Sequence, residues 1–141
     1  MKRSASARWT GGLKEGRGTI STESGVLAAT PYSFGTRFEN GKGTNPEELV
    51  AAAHAGCFSM ALSAQLQNAG LTPETIDTSA VLQFEKLEAG WTVVQIDLAV
   101  KARIPGADRA AFDKAAAAAK TGCPISRLLN AKITMDAQLV S

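Results

Sequence analysis

The residues of this chain with the most chemical potential are two cysteines, Cys57 and Cys123, and a single histidine, His54. Most metal sites need three or four ligands, so this set excludes most of them. Two thiols favour a redox cycle in which one cysteine is oxidised and the other resolves the oxidised form. The alternative is that both cysteines only pack, because free cysteine is among the most buried residue types.

The two cysteines are predicted to lie in different helical environments. Cys123 precedes Pro124, which suits the first position of a helix, so Cys123 is predicted to be the N-cap residue. Its sulfur would then face the positive end of the helix dipole, which favours thiolate. Cys57 lies inside a long apolar helix, where burial raises the pKa of a thiol. Its reactivity therefore requires a cation from elsewhere in the fold.

Arg37 and Arg17 are the candidate cations, and Glu47 is the candidate carboxylate that holds the arginine fork in place. The alternative is that these charges are ordinary solvated surface groups. Glu47 and Cys57 are ten positions apart, about 15 Å along one helix. Unless Arg37 bridges a longer gap, a second chain must bring these groups together. The sequence therefore predicts a homodimer with the site at its interface.

His54 offers a second hypothesis. It precedes Cys57 by three positions and shares nearly the same helix face, which could indicate a cysteine hydrolase. No third residue with a recognisable local signature orients such a pair. The alternative is a packed or interface histidine.

Composition is that of an ordinary soluble globular protein and fits one domain, residues 1–141. Hydrophobic residues make up 45%, charged residues 20%, and the net charge is +2 with basic residues scattered. Scattered charge argues against a nucleic-acid binder, and the N-terminus lacks the apolar run of a signal peptide. The longest apolar stretch, residues 49–64, is expected to be too short to span a bilayer. We expect a cytoplasmic protein, where a cysteine pair is transient and catalytic.

The pattern of apolar residues and turn signals predicts a mixed α+β domain with the order βββαββααβ. A helix starts with Asn45 as N-cap and Pro46 at its first position, and runs to about Asn68. Because this helix is apolar on most sides, it is predicted to be a central helix that is buried on most sides. The predicted strands cover residues 5–10, 17–21, 32–38, 76–84, 92–104 and 133–139. The other predicted helices run from the Asp108 cap to Gly122 and over residues 124–129.

Several segments together resemble the OsmC/Ohr family, and more narrowly its OsmC subgroup. They are residues 21–27 (STESGVL), 31–32 (PY), 36–39 (TRFE), 43–49 (GTNPEEL), 51–62 (AAAHAGCFSMAL) and 122–126 (GCPIS). The similarity runs from about Trp9 to Leu139, and the two cysteine motifs occur in the expected order and helices. The resemblance implies an intertwined homodimer in which antiparallel sheets wrap around long central helices.

The resemblance also implies a thiol-dependent peroxidase that reduces organic hydroperoxides. Cys57 would be the peroxidatic cysteine and form a sulfenic acid, and Cys123 would resolve it as a disulfide. Arg37 matches the activating arginine of this subgroup and Glu47 its supporting glutamate, with Arg17 as the fallback. An external dithiol, suggested to be of lipoyl type, would reopen the disulfide, and no metal or other cofactor is implied. A non-catalytic stress or small-ligand-binding protein on the same fold remains the other alternative.

Overall fold

The computed structural model describes all 141 residues, which form six strands and four helices in the order βββααββααβ. The chain divides into two compact units, Met1–Leu49 and Val50–Ser141. The observed order differs from the predicted one by a single short helix after the third strand. The prediction of one domain over residues 1–141 stays a prediction.

The first unit contains a small antiparallel sheet. Its strands are β1 (Ala5–Thr10), β2 (Arg17–Thr22) and β3 (Thr30–Tyr32), with β2 in the centre. The first two strands agree with the prediction to within one residue. Gly18 faces the Tyr32 ring so closely that a β-carbon there would overlap the ring. Only glycine fits between the aromatic side chains of this sheet.

The predicted third strand over residues 32–38 is wrong. The strand ends at Tyr32, and a short helix, α1 (Phe34–Phe38), follows. Ser33 causes the change because its side chain accepts from the Thr36 backbone N–H at 3.3 Å, while the Thr36 hydroxyl binds the Ser33 N–H at 2.9 Å. This reciprocal capping box satisfies two backbone donors locally, and it outweighs the strand preference of the aromatic residues.

The long helix, α2 (Pro46–Asn68), has the predicted ends. The Asn45 side chain accepts from the Glu48 backbone N–H at 2.8 Å, and Pro46 occupies the first turn. After the helix, Gly70 adopts a left-handed φ of +76°, which favours glycine. Residues 46–49 belong to the first unit and the remainder of α2 to the second.

Within this chain, α2 is not buried on most sides, so that expectation is wrong for the single chain. The side chains that face the interior recur every four residues and are His54, Phe58, Leu62 and Leu66. The opposite face is apolar but exposed, with Met60 at 77%. Small residues, among them Gly56 and Ala64, share that face. An exposed apolar face of this kind is a candidate interaction surface.

The longest apolar stretch of the sequence, residues 49–64, lies within α2. Helix α2 has 23 residues, and by length and composition alone it could cross a membrane. Only 22% of its most apolar stretch is buried within the chain. The core helix of a soluble protein meets the same criteria, so length and hydropathy do not decide between the two environments.

The second unit is built on a mixed three-stranded sheet. The antiparallel hairpin of β4 (Thr75–Leu87) and β5 (Gly90–Arg103) extends the predicted strands, and Gly90 at φ +119° makes the turn. The last strand, β6 (Lys132–Val140), pairs with β5 in parallel. Parallel pairing requires a crossover, which the intervening helices supply.

Two helices connect β5 to β6. Helix α3 (Arg109–Gly122) is capped by Asp108, whose side chain accepts from the Ala111 N–H at 2.7 Å, as predicted. Helix α4 (Pro124–Leu128) follows at once. The core of this unit combines the inner face of α2, one face of β5 and the alanine-rich side of α3. Its fully buried members include Phe58, Leu62, Ile96, Val100, Phe112 and Ala119.

Candidate active site

The structure brings the two cysteines together. The Cys123 thiol lies 2.7 Å from the Cys57 sulfur, although 66 positions separate the two residues in the chain. Both are free thiols, Cys123 fully buried and Cys57 partly exposed. A partly exposed sulfur in contact with a buried one suits a pair in which the first meets a substrate and the second resolves the product.

The turn between α3 and α4 holds Cys123 in this position. Its backbone N–H closes α3 on the Ala119 carbonyl at 2.9 Å, and Pro124 then starts α4. Cys123 is the N-cap residue as predicted, but its side chain makes no capping hydrogen bond. The sulfur donates to Cys57 instead. The predicted influence of the helix dipole on this sulfur stays a prediction.

The surroundings of Cys57 favour its neutral thiol. Burial raises the pKa of Cys57, and the interaction with the neighbouring Cys123 thiol acts in the same direction. The backbone of Ile125 in α4 acts in the opposite direction and lowers the pKa of Cys57. This agrees with the expectation that burial within α2 raises the pKa of Cys57.

Arg37 and Glu47 form a bidentate ion pair within the first unit. The Arg37 Nε lies 3.0 and 3.1 Å from the two Glu47 carboxylate oxygens, and the Arg37 Nη2 lies 2.7 Å from one of them. Two parallel contacts hold the guanidinium plane in one orientation. The Arg37 side chain remains 37% exposed, so one side of the charge is available to a further anion. Arg17 is exposed at the start of β2 and takes no part in this pair.

A groove beside Arg37 is lined by aromatic side chains. It has a volume of about 240 Å³ and is lined by Trp9, Leu13, Tyr32, Ser33, Phe34, Arg37 and Phe38. The Arg37 guanidinium also lies 5.1 Å from the centre of the Phe38 ring. The sequence does not single out Trp9 and Tyr32. They come together only because both pair with Gly18 of the central strand β2. An apolar groove with one cation suits an organic molecule that carries a polar end.

His54 makes a contact that sequence reasoning missed. Its Nε2 lies 2.7 Å from the Ser126 hydroxyl, and both side chains are buried. The spacing offers a signal that could have found it, since His54 precedes Cys57 by three residues and Ser126 follows Cys123 by three. Such residues lie one helical turn from each sulfur.

A larger groove of about 630 Å³ lies between the exposed side of α2 and the second sheet. Its lining includes Gly56, Ser59, Thr78, Lys101 and Asp136, but neither cysteine nor the histidine. The groove therefore contains no thiol and no imidazole. No group of three or more His, Cys, Asp or Glu side chains could hold a metal ion.

Comparison with known proteins agrees with this geometry. The sequence profile of OsmC-like proteins matches residues 39–138. The peroxiredoxin OsmC of Escherichia coli (strain K12) is 54% identical over 135 residues, which cover 96% of this chain and 94% of that protein. The chain belongs to the OsmC family. The predicted family is thereby confirmed.

More distant members of the OsmC family agree with this assignment. An organic hydroperoxide resistance protein of Xanthomonas axonopodis is 30% identical, with 96% of this chain and 92% of that protein covered. The crystal structure of an OsmC-like protein of unknown function from Vibrio cholerae aligns with a TM-score of 0.78. That alignment covers 97% of this chain and 99% of that one at 16% identity, so it bears on the fold alone. The predicted α+β fold of the OsmC family is confirmed.

The structure assembles the four predicted site residues of this family member as two pairs. Cys57 and Cys123 form one pair in the second unit, and Arg37 and Glu47 form the other in the first unit. The catalytic roles of all four residues stay predictions. Ser126, which binds His54, is an additional residue near the second unit's site.

Proposed function

We propose that this protein is a thiol-dependent peroxidase that reduces organic hydroperoxides to alcohols. The observation that carries the proposal is the 2.7 Å contact between a partly exposed and a buried thiol. The predicted enzyme class agrees with the names of the relatives, a peroxiredoxin at 54% identity and an organic hydroperoxide resistance protein at 30% identity. In a non-catalytic protein on the same fold, the two cysteines would only pack against each other.

In the first step of the proposed reaction, the Cys57 thiolate attacks the terminal oxygen of the hydroperoxide. The O–O bond breaks, the alkoxide takes up a proton and leaves as the alcohol, and Cys57 becomes a sulfenic acid. The thiolate is required because the neutral thiol is a poor nucleophile. Since the local environment raises the pKa of Cys57, we assign the activating charge to Arg37 and the orientation of Arg37 to Glu47.

In the second step, the Cys123 sulfur attacks the sulfenic sulfur of Cys57. The S–O bond breaks, hydroxide combines with the proton of the Cys123 thiol and leaves as water, and a Cys57–Cys123 disulfide forms. An external dithiol then reduces the disulfide by exchange and is itself oxidised to a disulfide. We propose a lipoyl-type dithiol in this role, as the family resemblance implies. No other cofactor is part of the proposal.

We further propose that the active form is a homodimer. The apolar face of α2 around Met60 is exposed within the single chain. The same face of a second copy would bury it in a symmetric interface. Small residues on that face allow close helix–helix approach. The argument that Glu47 and Cys57 are too far apart along one helix to share a compact site points the same way and stays a prediction. A cytoplasmic location also stays a prediction.

The hydrolase alternative has little support. A cysteine hydrolase needs His54 to accept the proton of Cys57, but His54 binds Ser126 and Cys57 binds Cys123. Burial also lowers the pKa of His54, which disfavours the imidazolium that such a step would create.

A thiol count tests the proposed function. The reduced protein is treated with one equivalent of cumene hydroperoxide, and free thiols are counted under denaturing conditions before and after. We expect both thiols to disappear, the intact mass to fall by two hydrogens and no disulfide-linked dimer to appear on a non-reducing gel. Retention of both thiols would show that the cysteines only pack.

A further inference from the structure

The second unit contains a buried histidine that the proposed reaction does not use. His54 is the only histidine of the chain and is fully buried. Its single hydrogen bond joins Nε2 to the Ser126 hydroxyl at 2.7 Å, and its Nδ1 is buried without a partner. Buried polar side chains are costly unless they serve a purpose, so this pair requires an explanation.

The pair lies beside the two sulfurs. His54 is one helical turn before Cys57 in α2, and Ser126 is three residues after Cys123 in α4. Two contacts therefore hold the short segment 123–126 against α2: the sulfur pair at 2.7 Å and the His54–Ser126 hydrogen bond at 2.7 Å.

Segment 123–126 depends on contacts with the rest of the fold for its position. Helix α4 has five residues, and a helix this short is not stable by itself. When Cys57 is oxidised to the sulfenic acid, the hydrogen bond between the two thiols no longer exists in its original form. The His54–Ser126 hydrogen bond contains no reacting atom, so it can persist through that change.

His54 does not act through charge. Burial lowers the pKa of its imidazole, and a protonated ring would leave a buried N–H at Nδ1 without an acceptor. We assign the single proton of the neutral ring to Nε2, which donates to the Ser126 oxygen, because an unpaired buried donor is more costly than an unpaired buried acceptor. The neutral ring can hold the neighbouring helix, but it supplies no positive charge to a thiolate.

We propose that His54 and Ser126 are positioning residues for disulfide closure, and that their hydrogen bond keeps Cys123 within reach of Cys57 after the first oxidation. This inference rests on the proposed peroxidase function. It concerns only the second step, in which the Cys123 sulfur displaces hydroxide from the sulfenic sulfur and water is released. The first step, attack of Cys57 on the peroxide, uses neither residue.

The test separates the two steps in a single turnover. Reduced protein receives one equivalent of cumene hydroperoxide, samples are quenched with dimedone, and intact masses distinguish thiol, trapped sulfenic acid and disulfide over time. We expect Ser126→Ala and His54→Leu to oxidise Cys57 at the wild-type rate. Closure should slow by about threefold to tenfold, the rate equivalent of one hydrogen bond. Ser126→Thr and His54→Gln keep a hydroxyl and an N–H donor, and should restore closure.

The double variant His54→Leu with Ser126→Ala distinguishes positioning from a burial penalty. Each single variant leaves one buried polar group unpaired, whereas the double variant leaves none. If the hydrogen bond positions Cys123, the double variant closes as slowly as the single ones. If the single variants are slow only because an orphaned group distorts the fold, the double variant recovers wild-type closure, and the proposal is overturned. The double variant also keeps the test available where a single variant fails to fold.

Two further outcomes keep this inference separate from the proposed function. If the wild-type protein forms no sulfenic acid and no disulfide, the peroxidase proposal fails, and the positioning role fails with it. If the wild type completes both steps and all four single variants close at the wild-type rate, the peroxidase proposal stands and the positioning role is wrong.

Discussion

The two units of the chain prepare different parts of the proposed site. In the first unit, Arg37 and Glu47 form a partly exposed ion pair whose two parallel contacts orient the guanidinium. In the second unit, Cys57 and Cys123 form a contact between two free thiols, where burial raises the pKa of Cys57. In the proposed mechanism, the first unit supplies the activating arginine and the second unit supplies the two thiols.

The largest expected effect concerns the sulfur pair. Cys57→Ser should abolish reduction of cumene hydroperoxide, because no other group in the proposed mechanism attacks the peroxide. Cys123→Ser should still consume one equivalent of peroxide but stop there, with a sulfenic acid that dimedone traps. Stopped-flow consumption of peroxide and intact mass measure both. Continued turnover of Cys123→Ser with a dithiol would assign resolution to another thiol.

A substitution on the exposed face of α2 tests whether the proposed reaction needs two copies of the chain. Met60→Glu places a charge on an apolar face that we expect to be covered by a second copy, so it should convert dimer to monomer. Light scattering after size exclusion measures the mass, and peroxidase activity should fall with the dimer fraction. Ala117→Glu, on the exposed side of α3, is the matched control and should change neither. A fully active monomer would refute the proposal that the active form is a homodimer.

The ion pair should matter through the Cys57 thiolate. Arg37→Met should lower the rate of the first oxidation on the order of a hundredfold, the typical cost of losing one preorganised charged donor. The pH midpoint for alkylation of Cys57 by iodoacetamide should rise in the same variant. Glu47→Gln should have a smaller effect, because it loosens the guanidinium but keeps its charge. Arg17→Met is the comparison that decides between the two arginines, and a larger effect there would transfer the activating role to Arg17.

The smallest effect concerns pH and belongs to the second unit. Burial lowers the folded-state pKa of His54 below its unfolded value of 6.5. Below that pH the unfolded chain takes up a proton that the folded chain does not, so stability should be fully present above pH 6.5 and fall as pH decreases towards the folded pKa. Urea unfolding between pH 7.5 and 5, within the approximate range where histidine titrates, measures the trend.

His54→Gln is the control for the pH effect, because it keeps an N–H donor and cannot titrate. Its stability should depend less on pH than that of the wild type over the same range. His54 is the only histidine, so any difference in slope between the two proteins belongs to this side chain. Identical slopes would show that His54 titrates normally.

Much of the fold was predictable because its signals are local. The Asn45–Pro46 start of α2, the Asp108 cap of α3 and the alternation along β4 and β5 depend on residues within a few positions of one another. Alternation and capping act within single elements, so they survive any arrangement of those elements. The difference over residues 32–38 is also local, since the Ser33 and Thr36 capping box starts a helix where the pattern predicts a strand.

By itself, the sequence determined the family, the two cysteine motifs, and which residues could supply a cation and a carboxylate. Only the tertiary structure decided that Cys57 meets Cys123, that Arg37 rather than Arg17 binds Glu47, and that His54 binds Ser126. It also decided that one apolar face of α2 remains open within the chain. The physical reason is that contacts between distant residues depend on how elements pack and pair, whereas the periodicity of one element shows which face is apolar but not what covers it.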